Sequence, residues 1–339
     1  MKLIVQIPCF NEEHTLPQTV ADIPRDIEGI DSVEILIIDD GSTDRTIEVA
    51  RKIGVDHIIR SRRNRGLALT FRTGIEACLE RGADIIVNTD GDNQYAGADI
   101  PKLVGPILEG KADIVIGDRQ TDTLIHFSPF KRLLQRLGSA VVRRLSGTAV
   151  PDTVSGFRAY TRDAALRLNV ISSFSYTIET VIQAGMDRQA VTAVPVATNP
   201  KTRESRLFKS LGTFLQSQVM TIVRMYSMYR PLLVFTIIGA ILVLIGAVPI
   251  VRFLYFYFVD GGQGHIQSLL LGAMFVVLGF ITFMFAMLAD LIHWNRRLIE
   301  MTLEKVRRLE LARSSGPMSQ AQASPNAPGQ PREEARLGR

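Results

Sequence analysis

The sequence predicts an α/β protein: a mainly parallel, Rossmann-like sheet with helices on both faces, followed by two helices apolar enough to span a bilayer. Three observations predict it. Short aliphatic, β-branched runs recur through the first two thirds of the 339 residues, and each ends in a polar cluster ahead of a segment with helical spacing. Apolar residues crowd into the last third, where residues 231–259 and 266–291 each exceed the roughly 20 residues needed to cross a hydrocarbon core. Between them, residues 260–265 carry no Lys or Arg, while basic residues flank the pair on both outer sides.

The first run, residues 2–7, is a strand that begins without a signal-peptide pattern, which predicts a domain that stays in the cytoplasm. Pro8 fixes a backbone angle after it, and Asn11 can hold the turn through its side chain. Asn11, Glu12 and Glu13 then lead into a helix over 15–23. This loop is either an ordinary strand-to-helix connection or one wall of a nucleotide pocket. A second strand over 34–38 ends in Asp39-Asp40-Gly41-Ser42, where Gly41 permits a tight turn and Ser42 or Thr43 can cap the helix over 45–52. Asp39 or Asp40 can accept hydrogen bonds from a base or a ribose hydroxyl at that strand end. The chain has no G-x-G-x-x-G, so the dinucleotide fingerprint is absent.

A third strand over 57–60 precedes the basic turn 62–65 and a helix over 68–81. A helix N-terminus beside several Arg suits an anion and equally suits a solvated surface. The fourth strand, 84–87, runs into Asp90-Gly91-Asp92-Asn93-Gln94. Residues separated by one point the same way in an extended segment, so Asp90 and Asp92 can share a ligand. Two close carboxylates repel unless a cation lies between them, and oxygen-only donors suit Mg²⁺ or Mn²⁺ with a phosphate completing the shell. The carboxyl end of a strand is where open α/β sheets bind ligands. Asp90, Asp92 and Gln94 are therefore the candidate metal ligands, against the plainer reading of a polar loop.

A helix over 99–108 and a strand over 113–116 follow. The strand ends in Gly117-Asp118-Arg119, which puts Arg119 at the same edge as Asp90, where a guanidinium can clamp a phosphate in fork geometry. Residues 121–147 alternate apolar positions with Lys131, Arg132, Arg136, Arg143 and Arg144, the pattern of a basic amphipathic segment on an anionic bilayer. Asp152 opens a polar turn into a short strand near 157–160. Helices over 161–168 and 175–184 and a strand over 190–196 complete the domain. The charged loop 199–206 comes next, then an amphipathic helix over 207–229. The helix over 292–312 is charged, with apolar residues toward one side that suit either a partner or a membrane edge. From residue 314 the composition is that of a disordered tail. The domains are thus 1–206 catalytic, 207–230 juxtamembrane, 231–259 and 266–291 transmembrane, 292–312 a charged cytoplasmic helix and 313–339 a tail.

The charge balance is modest: 39 Lys+Arg against 34 Asp+Glu, a formal +5. It calls for no nucleic acid and fits phosphorylated substrates or an anionic membrane surface. Two cysteines in apolar settings, Cys9 and Cys78, read as buried free thiols rather than a disulfide or a zinc site. The positive-inside pattern places the catalytic domain and both termini in the cytoplasm of an integral cell-membrane protein.

The ordered set Pro8…Asn11-Glu12-Glu13, Ile38-Asp39-Asp40-Gly41-Ser42, Asp90-Gly91-Asp92-Asn93-Gln94, Gly117-Asp118-Arg119 and Ser155-Gly156-Phe157-Arg158 resembles family 2 glycosyltransferases with the GT-A (nucleotide-diphospho-sugar transferase) fold. Within them it is similar to the polyprenyl-phosphate (dolichyl-phosphate) hexosyltransferases that carry a C-terminal membrane hairpin. The resemblance implies inverting, metal-dependent transfer of a hexose or N-acetylhexosamine from a UDP-sugar or GDP-mannose to polyprenyl phosphate. By the same resemblance Pro8, Asn11, Glu12 and Asp39 or Asp40 line the nucleoside pocket, and Asp90, Gly91, Asp92 and Gln94 hold the diphosphate with Mg²⁺ or Mn²⁺. Arg119, Arg203, Arg206 and Lys209 match basic groups on donor and acceptor phosphates, 121–147 matches the acceptor segment, and Asp152 is the candidate helper that orients the acceptor or takes a proton. Homo-oligomers such as tetramers are implied too. The loop 203–206 departs from the glycine-containing basic pattern of mannosyl members, which counts against GDP-mannose. The Gln-x-x-Arg-Trp motif of processive synthases is absent. A nucleotidyltransferase with the same metal site and a non-catalytic membrane scaffold are the alternatives.

Overall fold

The structure is a computed structural model that describes residues 1–120, 142–143, 146–148, 150–171, 176–200, 220, 223–224, 226–261 and 265–314. Seven strands form one sheet: β1 (Lys2–Cys9), β2 (Ser32–Asp39), β3 (His57–Arg60), β4 (Ile85–Asn88), β5 (Ile114–Asp118), β6 (Arg158–Thr161) and β7 (Val191–Pro195), in the order β3-β2-β1-β4-β6-β5-β7. β1 to β4 pair in parallel, as does β7 with β5. β6 is antiparallel to both β4 and β5, so the sheet is mainly parallel, as the strand rhythm predicts, with one reversed strand. The physical reason is direction of entry. The chain leaves β5 at the carboxyl edge and enters β6 from the turn at Asp152–Gly156 on that same edge, so β6 must run back against its neighbours.

The two-residue period of the strands splits the core into two layers. Leu3, Val5, Ile7, Ile35, Ile37, Ile85 and Val87 face helices α1 (Leu16–Ala21), α2 (Thr46–Lys52) and α4 (Ile100–Leu108). Ile4, Leu36, Ile38 and Ile86 face α3 (Leu67–Glu80), α5 (Arg162–Arg167) and α6 (Thr177–Met186). Burial on both faces is why these strands are nearly continuous aliphatic runs. Helix α4 starts where its acid-and-proline opening predicts, with Asp99 as its N-cap, and Gly97–Asp99 forms a 3₁₀ turn ahead of it.

Beyond the sheet domain, α7 (Pro231–Asp260) and α8 (Ile266–Ser314) form an antiparallel hairpin. Both are long and apolar enough to cross a membrane by length and composition, and only 11% and 17% of their most apolar stretches are buried. Helix α8 is one unbroken helix of 49 residues, so the charged segment from residue 292 continues the apolar one without a hinge. Of the amphipathic helix expected over 207–229, the described residues 220, 223–224 and 226–229 are helical and the others lie outside the described residues. The same holds for most of the basic segment 121–147.

Candidate active site

The site is built on the carboxyl edge of β1, β2, β4 and β5. Past the last strand pair of β4, Gln6 with Asn88, the chain turns through Asp90, Gly91 and Asp92. The Asp92 carboxylate closes the turn by accepting from the Gln94 amide (3.2 Å). The Gly91 carbonyl accepts from the hydroxyls of Thr15 (2.9 Å) and Thr19 (3.3 Å) on the α1 side. A Cβ on Gly91 would lie 3.0 Å from the Cys9 sulfur and 3.3 Å from Glu12 Cγ, so glycine lets the turn lie against the end of β1. Pro8 sits beyond the last β1–β4 pair, where a missing N–H costs a strand least.

The first two loops are stapled to each other. Asn11, with φ +57°, donates its N–H to the Ser42 hydroxyl (2.9 Å), and its side-chain oxygen accepts from the Thr43 amide (2.8 Å). The Glu12 amide donates to Thr46 (2.8 Å), and the Glu12 carboxylate accepts from the Thr15 hydroxyl (2.8 Å). Asp39, fully buried, accepts from the Ser42 amide (3.2 Å) and lies 3.6 Å from the Arg60 guanidinium. Asp40 accepts from the amides of Arg65 (2.8 Å) and Gly66 (2.9 Å), which folds the basic turn over Gly41. A Cβ on Gly41 would meet the Arg63 backbone at 2.6 Å, and its φ is +76°, so glycine is required twice over.

On the other side of Asp90 stands the turn before β6. A Cβ on Gly156 would lie 3.1 Å from each Asp90 oxygen and 3.0 Å from the Tyr176 hydroxyl. The Gly156 amide donates to the Tyr95 hydroxyl (2.9 Å), and its carbonyl accepts from Asn88 (2.8 Å). Asn88 also donates to Tyr176 (2.9 Å), whose ring stacks on Phe71 with centroids 3.8 Å apart. Beneath this turn Arg158 is wholly buried, and its guanidinium donates to the carbonyls of Ser155 (2.7 Å), Thr177 (2.9 Å) and Thr153 (2.9 Å) and to the Thr180 hydroxyl (2.7 Å). Arg158 and Asn88 thus fix the surface against which Asp90 rests. Sequence reasoning left Asn88, Tyr95, Gly156 and Tyr176 out of the site. The signal available was the placement of polar Asn88 at the end of an otherwise aliphatic strand.

Arg119 meets Asp152 rather than open solvent. Its Nε and Nη2 donate to the two carboxylate oxygens at 2.7 and 3.0 Å, and Asp152 is 2% exposed. Burial works to lower the Arg119 pKa, but Tyr95, Asp152 and Asp90 outweigh it and raise it, so the guanidinium stays charged. Asp152 in turn has both oxygens engaged, and Oδ1 also accepts from the Val154 amide (3.3 Å). The Cys9 thiol is pushed well above its ordinary value, first by burial and then by Glu12, Asp39, Asp90 and Asp44. The four carboxylates that add to burial, Glu12, Asp39, Asp90 and Asp44, gather negative charge at this edge.

Such a field repels a nucleoside diphosphate unless a cation intervenes. Among the described residues no three His, Cys, Asp or Glu side chains form a cluster that could hold a metal ion. Asp90 and Asp92 suit an oxygen-coordinated divalent ion whose remaining positions go to the ligand's phosphates and water. Asp90, Gly91, Asp92, Gln94, Pro8, Asn11, Glu12, Asp39, Asp40, Arg119 and Asp152 all lie on this one edge. Arg203, Arg206 and Lys209 lie outside the described residues. The chain leads toward them from a fixed point, because Asn199 donates its amide to the Gln94 carbonyl (2.9 Å) and its side chain to the Asn93 carbonyl (3.1 Å).

Comparison with known proteins gives concordant results. The glycosyl transferase family 2 profile matches residues 4–168. A dolichyl-phosphate hexose transferase of Haloferax volcanii is 30% identical over 209 residues, 60% of this chain and 86% of that protein. An undecaprenyl-phosphate mannosyltransferase of Micrococcus luteus is 26% identical over 232 residues, 66% of this chain and 93% of that protein. Among solved structures, glucosyl-3-phosphoglycerate synthase from Mycobacterium tuberculosis, in complex with Mn²⁺, UDP and glucosyl-3-phosphoglycerate, superposes with a TM-score of 0.54 at 22% identity, over 67% of this chain and 80% of that one. That last likeness is one of fold.

Proposed function

The chain belongs to glycosyl transferase family 2, and from that premise we propose that it transfers a hexose or N-acetylhexosamine from a nucleotide sugar to a polyprenyl phosphate at the membrane surface, with inversion. It is a glycosyltransferase of GT-A type. The observation that carries the finer reading is the pairing of two features in one chain: the acidic turn Asp90–Asp92 shares one sheet edge with the half-buried Arg119, and the sheet domain continues into α7 and α8, whose apolar surfaces are uncovered. Relatives with names in the polyprenyl- and dolichyl-phosphate transferase class support the same acceptor.

In this reading Pro8, Asn11, Glu12 and Asp39 or Asp40 shape the nucleoside end, and Asp90, Asp92 and Gln94 hold Mn²⁺ or Mg²⁺. The ion, when bound, neutralises charge on the departing diphosphate. An acceptor phosphate oxygen attacks the anomeric carbon as the bond from that carbon to the diphosphate oxygen breaks, and the nucleoside diphosphate leaves. A phosphate monoester is largely ionised near neutral pH, with a second pKa of about 6, so no strong base is required. Asp152 then serves by holding the Arg119 fork toward the phosphates rather than by taking a proton. Arg203, Arg206 and Lys209 contribute further positive charge, and the catalytic domain and both termini face the cytoplasm.

The test is a donor panel of UDP-glucose, UDP-N-acetylglucosamine and GDP-mannose with the purified full chain, Mn²⁺ or Mg²⁺, and either polyprenyl phosphate or 3-phosphoglycerate as acceptor. The proposal expects a glycolipid product with one donor. Transfer to phosphoglycerate alone would overturn the acceptor, and undiminished turnover in EDTA would overturn the metal.

A further inference from the structure

The sheet is aliphatic almost throughout, yet two amide side chains stand side by side at its centre. Gln6 of β1 and Asn88 of β4 are register partners, and both are wholly buried. No step of the transfer touches them. Hydrogen-bond chemistry fixes which way each amide points. The Gly156 carbonyl can only accept, so the Asn88 atom 2.8 Å from it is the nitrogen. Asn88 Oδ1 then faces Gln6 and accepts from its Nε2 (2.9 Å). That leaves Gln6 Oε1 buried without a hydrogen-bond partner among the described residues. It lies against α3 at Gly74, where a Cβ would come within 2.2 Å of it. A buried acceptor without a partner costs stability, so the orientation of the two amides answers a constraint at the other end of the row.

That end is Tyr176. The second Asn88 N–H donates to the Tyr176 oxygen at 2.9 Å. The hydroxyl's own single proton must then go elsewhere. The Gly156 carbonyl is 3.4 Å away and already takes the shorter bond from Asn88. The other acceptor on this side is the Asp90 carboxylate. A Cβ built on Gly156 lies 3.0 Å from the Tyr176 hydroxyl and 3.1 Å from each Asp90 oxygen, so the three oxygens converge on one spot. Tyr95 is the other buried hydroxyl at this turn, but its oxygen takes the Gly156 amide (2.9 Å) and is not among the atoms nearest that spot. The Tyr176 ring is wholly buried and lies flat on Phe71, with centroids 3.8 Å apart and planes within 2°, so the hydroxyl is held in place. The row Gln6, Asn88, Tyr176 therefore points its donors one way, toward Asp90, and every member is neutral. A neutral donor orients a carboxylate and leaves its full charge for a cation, whereas an arginine partner would cancel it.

We propose that Tyr176, aimed by Asn88 and Gln6, donates its hydroxyl proton to Asp90 and is a positioning residue that sets how tightly the acidic turn holds its divalent ion. The inference rests on the reading of Asp90 and Asp92 as the metal ligands. Tyr176→Phe removes the hydroxyl and keeps the stacked ring. Binding of Mn²⁺ to the purified full chain, with UDP and separately with GDP present, is read from the paramagnetic resonance of the free ion. The variant should bind Mn²⁺ about tenfold more weakly, while kcat at saturating Mn²⁺ stays within about twofold of wild type. Tyr160→Phe is the control. It deletes another wholly buried hydroxyl beside Phe71 (centroids 6.1 Å apart), one without a hydrogen-bond partner among the described residues, and should leave Mn²⁺ affinity unchanged. Asp92→Ala should abolish the binding. Binding that survives Asp92→Ala overturns the metal reading and this inference with it. Binding lost in Asp92→Ala but unchanged in Tyr176→Phe, or weakened equally in Tyr160→Phe, overturns this inference alone. One measurement needs no variant. In the wild type with Mn²⁺ and nucleotide bound, the Tyr176 hydroxyl should lie about 2.6 Å from an Asp90 oxygen. A separation of about 4 Å or more there would overturn the inference whatever the variants do.

Discussion

Arg158 is a charged residue in a fully buried position. A guanidinium sits fully buried, and its four hydrogen bonds all go to uncharged oxygens. Those acceptors belong to the turn before β6 and to the start of α6, so the charge is spread over the backbone that shapes the Asp90 pocket. Arg158→Met leaves these acceptors unsatisfied and should cost about 3 kcal/mol or more of stability, read as a lowered thermal midpoint. Gly156→Ala tests the pocket itself. Its new methyl must push on the Asp90 carboxylate, so the metal concentration for half-maximal activity should rise severalfold, while the lysate yield and melting temperature of the protein change little. Asp92→Ala should reduce turnover by 10²-fold or more without unfolding the protein, because the removed carboxylate acts on the ligand and lies in a turn past the end of β4 rather than in the sheet core. Arg119→Ala and Asp152→Ala should each lower activity and should not add in the double variant, since the two share one fork.

At the scale of elements, the connection after β7 matters most. Asp99, at the 3₁₀ turn before α4, accepts from the Ala197 amide (2.6 Å) and pairs with Lys102 (2.7 Å). Burial pushes its pKa up, but those two bonds outweigh burial and hold it below the usual carboxylate value. A group with a depressed folded pKa gives its stability above the unfolded value, about 3.9, and loses it as pH falls through the lower folded one. Stability should therefore be flat with respect to this group at neutral pH and decline below about pH 4. Asp99→Asn should remove part of that acid-side slope in a pH series of melting curves. The segment it anchors runs beside Gln94 through Asn199, so the same variant should loosen the acidic turn and raise the KM for donor more than it lowers kcat. The antiparallel β6 belongs to this scale as well, for it brings Gly156 and Asp152 to the carboxyl edge of parallel neighbours.

At the scale of the molecule, α8 is a strut. Arg307 reaches Glu76 on α3 (3.7 Å) and the carbonyls after α5, Arg308 reaches Asp163 (2.9 Å), and Tyr229 and Leu311 pack into the α3-side core. A single rigid helix therefore connects the apolar hairpin to the flank of the sheet domain, and the candidate site keeps a set height and tilt relative to α7 and α8. Arg307→Ala combined with Arg308→Ala should leave the sheet domain folded and increase hydrogen exchange over residues 300–314, since those contacts and not helix propensity hold the segment in place.

Much of this was legible in the chain itself. The strands were, because a strand buried on both faces must be aliphatic throughout, and so were the two long apolar helices, because hydrocarbon length is a property of composition. Asp90, Asp92, Asp39, Asp40 and Arg119 could be placed on one edge because each follows such a strand. What the sequence could not supply was direction and pairing. The reversal of β6, the capture of Arg119 by Asp152 from 33 residues away, the Gly156 surface against Asp90 and the inward turning of the charged face of α8 all depend on contacts between distant segments. Periodicity reports which side of an element is apolar, and only the assembled chain decides what each side meets.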